Sequence, residues 1–225
     1  MSGLLSALER GQRHTAFRPC GDESVVHGRG PMQMGWYRLA ATKIVGDSVL
    51  DVGAGMGEGL RVLAAHTPRA LGIEVDDRLR RADDVEIEIR DLASMPDDSF
   101  DTVVCVDVIE HVESDRAFVE QLMRVARRRV FVSTPNYAMS LNEWPFHVRE
   151  YTPRQLHRML ERFGTTTVFG GSSTGDQNTE IRRRTLYHLI CDLYCYRGTH
   201  LLGKIFRRPL GIRLWAHQAI VVDLP

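Results

Sequence analysis

Little in these 225 residues is extreme, and each thing in short supply removes a class of protein. Only four cysteines occur, Cys20, Cys105, Cys191 and Cys195. Cys105 lies inside an apolar run and the others lack zinc-ribbon spacing, so neither a disulfide framework nor a zinc scaffold is expected. No apolar stretch approaches the ~20 residues that cross a bilayer. The opening MSGLLSALERGQR has no long apolar core followed by a small-residue cleavage site, so no secretory leader is expected. Ser2 follows the first Met, which removes N-myristoylation. A soluble, reducing, cytoplasmic setting is the expectation. Net charge is missing too: 29 Lys and Arg balance 29 Asp and Glu, whereas a general nucleic-acid binder carries a basic excess. No internal repeat and no low-complexity tract is visible.

The neutrality is a cancellation. From Pro145 onward 12 Lys and Arg face 6 Asp and Glu, so that part carries +6 and the first 144 residues carry −6. The apolar share of 43% is ordinary for one globular domain. Short β-branched runs alternate with helical stretches, the pattern of a mostly parallel sheet covered by helices. Strands are expected at Ser48–Val52, Ala70–Val75, Val85–Ile89, Asp101–Val106 and Arg129–Ser133, with Thr165–Phe169 and Ala219–Asp223 closing the sheet. Helices are expected at Gly57–Ala65, Asp115–Arg127 and from Thr152 to Arg162, where Pro153 takes the first helical position. The reading is one domain over 1–225. Residues 1–47 are a helical lead-in and 48–169 a cofactor-binding core; 170–225 hold a loop, an amphipathic helix and a closing strand. Residues 170–184 (GGSSTGDQNTEIRRR) are the strongest loop signal. Leu186, Leu189, Ile190, Leu193 and Tyr194 form the stripe of the amphipathic helix.

The most informative stretch is VLDVGAGMGEG, Val49 to Gly59. A strand runs straight into Gly53, Gly55 and Gly57, where the backbone turns sharply and a ligand can press against it. The dinucleotide spacing G-x-G-x-x-G fails: its sixth position is Glu58 counted from Gly53 and Leu60 counted from Gly55. Asp51 before the turn and Glu58 after it would repel a pyrophosphate and suit a cofactor bearing an ammonium and a sulfonium. At an effective dielectric near 20, an opposed unit pair at ~4 Å is worth about 4 kcal/mol, so the sign decides for S-adenosylmethionine over a nicotinamide dinucleotide.

In these residues the chain resembles the class I S-adenosylmethionine-dependent methyltransferases. VLDVGAGMG is similar to their first motif, GIEVD (Gly72–Asp76) to their second-strand end, and RDLASMPDDSFDTVVCVDVIEHV to their third and fourth strand segments. The resemblance covers roughly Arg38 to Phe163. It implies a Rossmann-like, doubly wound, mostly parallel seven-stranded sheet with an antiparallel closing strand, a helical N-terminal lead-in and a C-terminal helical insertion. It places Asp51, Gly53, Ala54, Gly55, Gly57, Glu74, Val75, Asp91, Leu92 and Asp107 around the cofactor, with Glu74 on the ribose hydroxyls and Asp91 and Leu92 at the adenine edge. A carboxylate accepts two vicinal hydroxyl protons at once, which suits Glu74. A bland alternative for Asp91 is a helix cap, and for Asp51 a turn-capping carboxylate.

On the acceptor side, STPNYAMSLNEWPFHVREYT resembles a branch of that family associated with polysaccharide and glycoconjugate pathways, through Asn142, Pro145, Phe146, His147, Glu150, Tyr151 and Thr152. The implied acceptor is a small molecule, a hydroxyl of a sugar or glycosylated metabolite. A hydroxyl must lose a proton as the methyl arrives in line, and a general base helps, whereas an amine acceptor needs no strong base and stays open. His147 is the first candidate, on a loop at the strand carboxyl ends; the alternative is that it only ties the loop down. His111 either lines the site or caps the helix after the fourth strand. Two other readings stay open. Asp107, Glu110, His111 and His147 resemble the metal-binding pattern of small-RNA 3′-terminal 2′-O-methyltransferases, where a metal acidifies the attacked ribose hydroxyl; RNA is otherwise disfavoured as a partner. The chain is otherwise a binding protein that kept the fold and bound S-adenosylmethionine without catalysis.

Substrate choice is expected in the basic tail. Arg182, Arg183 and Arg184 are expected either to meet an anionic group on the acceptor or to lie on a solvated loop, and the +6 charge favours an anionic or glycosylated acceptor. The Leu186–Tyr194 helix is expected to be core or a homodimer surface rather than a membrane anchor, while Lys204, Arg207 and Arg208 leave a membrane-surface contact open. In the lead-in, Trp36 and Tyr37 are expected either to pack over the cofactor pocket or to serve a plain packing role.

Overall fold

The five residues Ser48–Val52 (β1) are buried along their whole length, as a central strand of a parallel sheet covered on both faces must be. The computed structural model describes residues 28–77, 83–141, 144, 146–195 and 199–225. Cys20, most of the lead-in, and Asn142 and Pro145 of the acceptor-side stretch lie outside the described residues. The other strands are β2 (Arg69–Glu74), β3 (Ile87–Ile89), β4 (Phe100–Val106), β5 (Ala126–Pro135), β6 (Thr165–Gly171), β7 (Asn178–Glu180) and β8 (His217–Asp223). They form one sheet in the order β3-β2-β1-β4-β5-β8-β6-β7. Strands β1 to β5 are mutually parallel, and β8 is inserted antiparallel between β5 and β6.

Alternation along the strands sorts the core into two layers. Leu50, Val52, Val103, Cys105, Val130, Val132, Ile220 and Val222 point to one face. There they meet Val119 and Leu122 of α3 (Asp115–Val125) and Leu156 and Leu160 of α5 (Pro153–Leu160). Val49, Val104, Val106, Phe131, Ala219 and Val221 point to the other. That face is covered by Trp36, Tyr37, Ala40 and Ala41 of α1 (Pro31–Ala41) and Leu63 of α2 (Glu58–Ala64). Each fully buried Leu contributes roughly 1.5–3 kcal/mol by leaving water. Asp51 has the same parity as Val49, which puts its carboxylate on the α1–α2 face.

The helix starts follow their caps. Thr152 accepts from Gln155 N at 3.3 Å while the Gln155 side chain returns to Thr152 N at 2.9 Å, a capping box with Pro153 at the first position. At the other side, α3 passes directly into β5, Val125 being the last residue of one and Ala126 the first of the other.

Three expectations change. The sheet has eight strands, because Asn178–Glu180, inside the expected loop, pairs antiparallel with Phe169–Gly171. Its polar sequence carries no apolar alternation, and an edge strand needs none. Second, β7 leads the chain back down the sheet, so Arg184 hydrogen-bonds Thr166 near the start of β6 at 3.2 Å. Arg182, Arg183 and Arg184 therefore line a cavity of about 510 Å³ at the amino-terminal side of β6, away from the glycine turn. Third, the C-terminal insertion is two helices, α6 (Arg184–Cys195) and α7 (His200–Arg207), and α6 buries Tyr187, His188, Ile190 and Cys191 while Leu189 is 47% exposed. Its inner face packs on Ala138 of the short helix α4 (Tyr137–Ser140) and on Trp215. The described cysteines, Cys105, Cys191 and Cys195, are free thiols.

Candidate active site

The carboxyl ends of β1, β2, β3, β4 and β5 converge, and the acidic residues singled out in the sequence stand there. The glycine turn leaves β1 with Gly53 at φ 73° and Gly57 at φ 98°, a left-handed backbone that side chains avoid. Gly53 and Ala54 both donate to the Ile73 carbonyl, at 2.9 and 3.1 Å, which holds the turn against β2. At Gly59 the need is space: an added Cβ would come within 2.1 Å of the Tyr37 ring, which lies across α2.

Tyr37 uses that space to reach the end of β1. Its hydroxyl donates to Asp51 Oδ1 at 3.1 Å, and Asp51 Oδ2 is buried without a hydrogen-bond partner. Burial pushes the Asp51 carboxyl up to about 7, against the pull of Arg29. Trp36 instead packs on Phe131, ring centroids 6.3 Å apart, inside the core. Glu74 is fixed by three backbone N–H groups: Gly55 on Oε2 at 2.9 Å, and Val75 and Asp76 on Oε1 at 2.8 and 3.2 Å. Val75 is exposed. Asp91 is exposed and caps the 3₁₀ turn Leu92–Ser94 through Ala93 N at 2.8 Å, while Leu92 is buried beneath it.

Arg29 is the pocket residue that sequence reasoning missed. Its guanidinium donates to the carbonyls of Gly53 and Val106, the latter at 3.4 Å, and lies 5.7 Å from the Tyr37 ring centre. Burial works against its charge, but Tyr37, Asp51, Asp107 and Glu74 around it raise its pKa above the ordinary arginine value. A signal was present: a single cation in the tripeptide Gly28-Arg29-Gly30 directly before the Pro31 helix start.

Beyond Arg29 stands a polar cluster at the ends of β4 and β5. Asp107 has φ 53°, is 8% exposed, and accepts from Ser133 Oγ at 2.9 Å; His217 Nδ1 is 3.7 Å from its Oδ1. Glu110, 1% exposed, accepts from Thr134 on Oε2 at 3.0 Å, and its Oε1 has no hydrogen-bond partner. Burial, then the Asp107 charge, raises the Glu110 carboxyl well above the usual range. His111 does not cap α3, whose N-cap is Ser114; it sits in the 3₁₀ turn Ile109–His111 with Nδ1 on the Phe146 carbonyl at 3.2 Å. Burial, then His147, lowers the His111 pKa to about 4. His147 meets it edge-on with ring centroids 4.9 Å apart, and its Nδ1 lies 2.6 Å from Glu150 Oε1. Glu150 in turn accepts from Ser140.

One ligating atom from each of Glu110, His111 and His147 lies within 4.8 Å of the other two. Asp107, the fourth member of the metal pattern, is not in that group; its carboxylate belongs to Ser133 and His217. Sequence spacing places Asp107 near the others, but its backbone turns left-handed and aims it across β5.

Residues 29–168 match the model of a methyltransferase domain family. A "Probable S-adenosylmethionine-dependent methyltransferase" from Mycolicibacterium smegmatis is 34% identical over 161 residues, 62% of each chain. A ubiquinone biosynthesis O-methyltransferase from Methylococcus capsulatus is 28% identical over 166 residues, 68% of this chain and 70% of that one. The crystal structure of a SAM-dependent methyltransferase from Thermotoga maritima, described as a possible histamine N-methyltransferase, superposes with a TM-score of 0.58 at 14% identity. It covers 85% of this chain and 89% of that chain, a likeness of fold. This chain thus spans less than two thirds of the length of the M. smegmatis relative.

Proposed function

Because this chain belongs to the methyltransferase domain family, we propose that it moves the methyl group of S-adenosylmethionine, its cofactor, to a hydroxyl of a small-molecule acceptor. The observation that carries the hydroxyl reading is the pair His147–Glu150. The carboxylate engages Nδ1 at 2.6 Å and fixes the ring, so Nε2 would be the nitrogen that takes the acceptor's proton. An imidazole so held accepts a hydroxyl proton, and its carboxylate partner stabilises the imidazolium that forms. Relatives named O-methyltransferases agree with a hydroxyl acceptor. The acceptor class we favour is a sugar or glycosylated metabolite, from the branch-like stretch around Phe146, His147 and Glu150. The arginines at 182–184, displaced from the carboxyl ends, no longer argue for an anionic group on it.

The cofactor side follows from charge. Asp51 would attract the cationic methionine end of the cofactor, Glu74 would offer its remaining lone pairs to the ribose hydroxyls, and the Leu92 turn would border the adenine. Arg29 would pair with the cofactor's carboxylate. In-line transfer then needs little more than alignment of oxygen, methyl and sulfur. Single-turnover methylation of candidate glycosides tests the reading: wild-type protein transfers label from S-adenosylmethionine and His147→Ala does not, with cofactor affinity retained. Binding of the cofactor with no transfer to any hydroxyl acceptor in both proteins rejects it.

A second reading has its own observation. The unpartnered, buried Glu110 Oε1 stands with His111 and His147, whose Nδ1 atoms are occupied by Phe146 and Glu150. Histidines bound by their other nitrogen are the usual support of metal ligands. These three would hold a divalent ion, which would supply acidification of a coordinated hydroxyl.

A further inference from the structure

An amphipathic helix on a globular protein normally turns its apolar face to the core. Helix α7 does the reverse. Leu201, Leu202, Ile205 and Phe206 are 67, 43, 54 and 47% exposed, and Leu210 just beyond is 38% exposed. At about 100° per residue, Leu201 and Ile205 form one row and Leu202 and Phe206 the adjacent row. The row diametrically opposite Leu201 and Ile205 is that of Gly203. Gly203 is where the helix is seated: an added Cβ there would lie 3.1 Å from Tyr194 N on α6. The apolar rows therefore face outward.

Charge says what covers them. Between Asp192 and Asp223 there is no acidic residue, while Arg197, Lys204, Arg207, Arg208 and Arg213 are all cationic. Lys204 and Arg208 are exposed and, among the described residues, neither has an ion pair. A second copy docked face to face by a two-fold axis would set these cations against their own images. An anionic lipid surface complements them and takes up leucine, isoleucine and phenylalanine side chains at the headgroup boundary. We propose that α7 and Leu210 form an interfacial docking patch for membranes rich in anionic lipid. No helix of the described residues is long and apolar enough to span a bilayer, so the contact is with one leaflet. This holds whichever acceptor the active site takes.

The test is co-sedimentation of the full chain with large vesicles, either pure phosphatidylcholine or phosphatidylcholine with ~30% phosphatidylglycerol. The wild-type protein is expected to pellet with the anionic vesicles and to stay in solution with the neutral ones. Ile205→Ser/Phe206→Ser and, separately, Lys204→Gln/Arg208→Gln should each lower vesicle affinity at least tenfold. All these side chains are exposed, so thermal midpoint and cofactor affinity should stay unchanged and certify the fold. Wild-type protein that stays in solution with anionic vesicles overturns the proposal, as does equal pelleting of Ile205→Ser/Phe206→Ser. A concentration-dependent dimer that this double substitution dissolves, with no vesicle binding, also overturns it and assigns the patch to a second copy.

Discussion

Tyr37 and Asp51 meet through a 3.1 Å hydrogen bond across the interface between α1 and the sheet. One oxygen of the carboxylate is satisfied and the other, Asp51 Oδ2, is buried with no partner. A helix of the lead-in thus sets the electrostatics of the first strand's end. The group waiting there is half prepared for a cation.

That state makes cofactor binding pH-dependent. Burial raises the Asp51 carboxyl to about 7, so below that pH it holds a proton that a cationic ligand must displace. Affinity for S-adenosylmethionine should therefore rise from pH 5.5 to 7 and level off above. The limit is tenfold per pH unit, about 1.4 kcal/mol. Calorimetry in buffers of different ionisation heat should detect the released proton. Asp51→Asn should abolish the slope and weaken binding at pH 8 by tenfold or more.

Glu74→Ala removes the acceptor for the Gly55, Val75 and Asp76 N–H groups as well as the proposed ribose contact. Cofactor affinity should fall at least tenfold, about 1.4 kcal/mol. Native affinity in this variant would place the pocket elsewhere.

The pair His147–Glu150 separates base from brace. Glu150→Gln keeps the shape but not the charge, and turnover should drop by on the order of 10²-fold or more, as for lost acid–base assistance. Cofactor affinity should not move. Unchanged turnover in both His147→Ala and Glu150→Gln would leave the histidine with a purely structural role.

Metal analysis decides the second reading of the same cluster. Protein purified without chelator should retain a divalent ion in near-equimolar amount if Glu110, His111 and His147 ligate one, and Glu110→Gln should lose it. Full activity in EDTA with no bound ion ends that reading.

Gly59→Ala drives a methyl into the Tyr37 ring at a position where the ring has no room. Overpacking of this kind costs about 1–3 kcal/mol. Thermal denaturation should show the loss, and cofactor affinity should fall with it because Tyr37 carries Asp51.

The central strands were legible because burial on both faces writes itself as unbroken runs such as DTVVCV, and the glycine turn because its spacing is local. Thr152 and Pro153 announced α5 for the same reason. What stayed hidden depends on distance in the fold. Asn178–Glu180 is a strand only because Phe169–Gly171 offers it an edge. The inner face of α6 is offset from its apolar stripe because Tyr187, His188 and Cys191 find partners on α4 and α5 that no periodicity encodes. Arg29 lies 24 residues from the Gly53 carbonyl it holds. His111 and His147 were both visible, but not that Phe146 and Glu150 occupy their Nδ1 atoms.

The insertion of β8 between β5 and β6 has a consequence for the order of assembly on the ribosome. Residues 126–135 and 165–171 emerge first, yet they share no ladder; each must wait, with an open edge, for residues 217–223. Until then the nascent chain displays two unpaired β edges, the kind of surface that invites intermolecular pairing. A stop codon or proteolytic cut shortly before His217 would strand the molecule in that state, with its cofactor turn and both histidines already made.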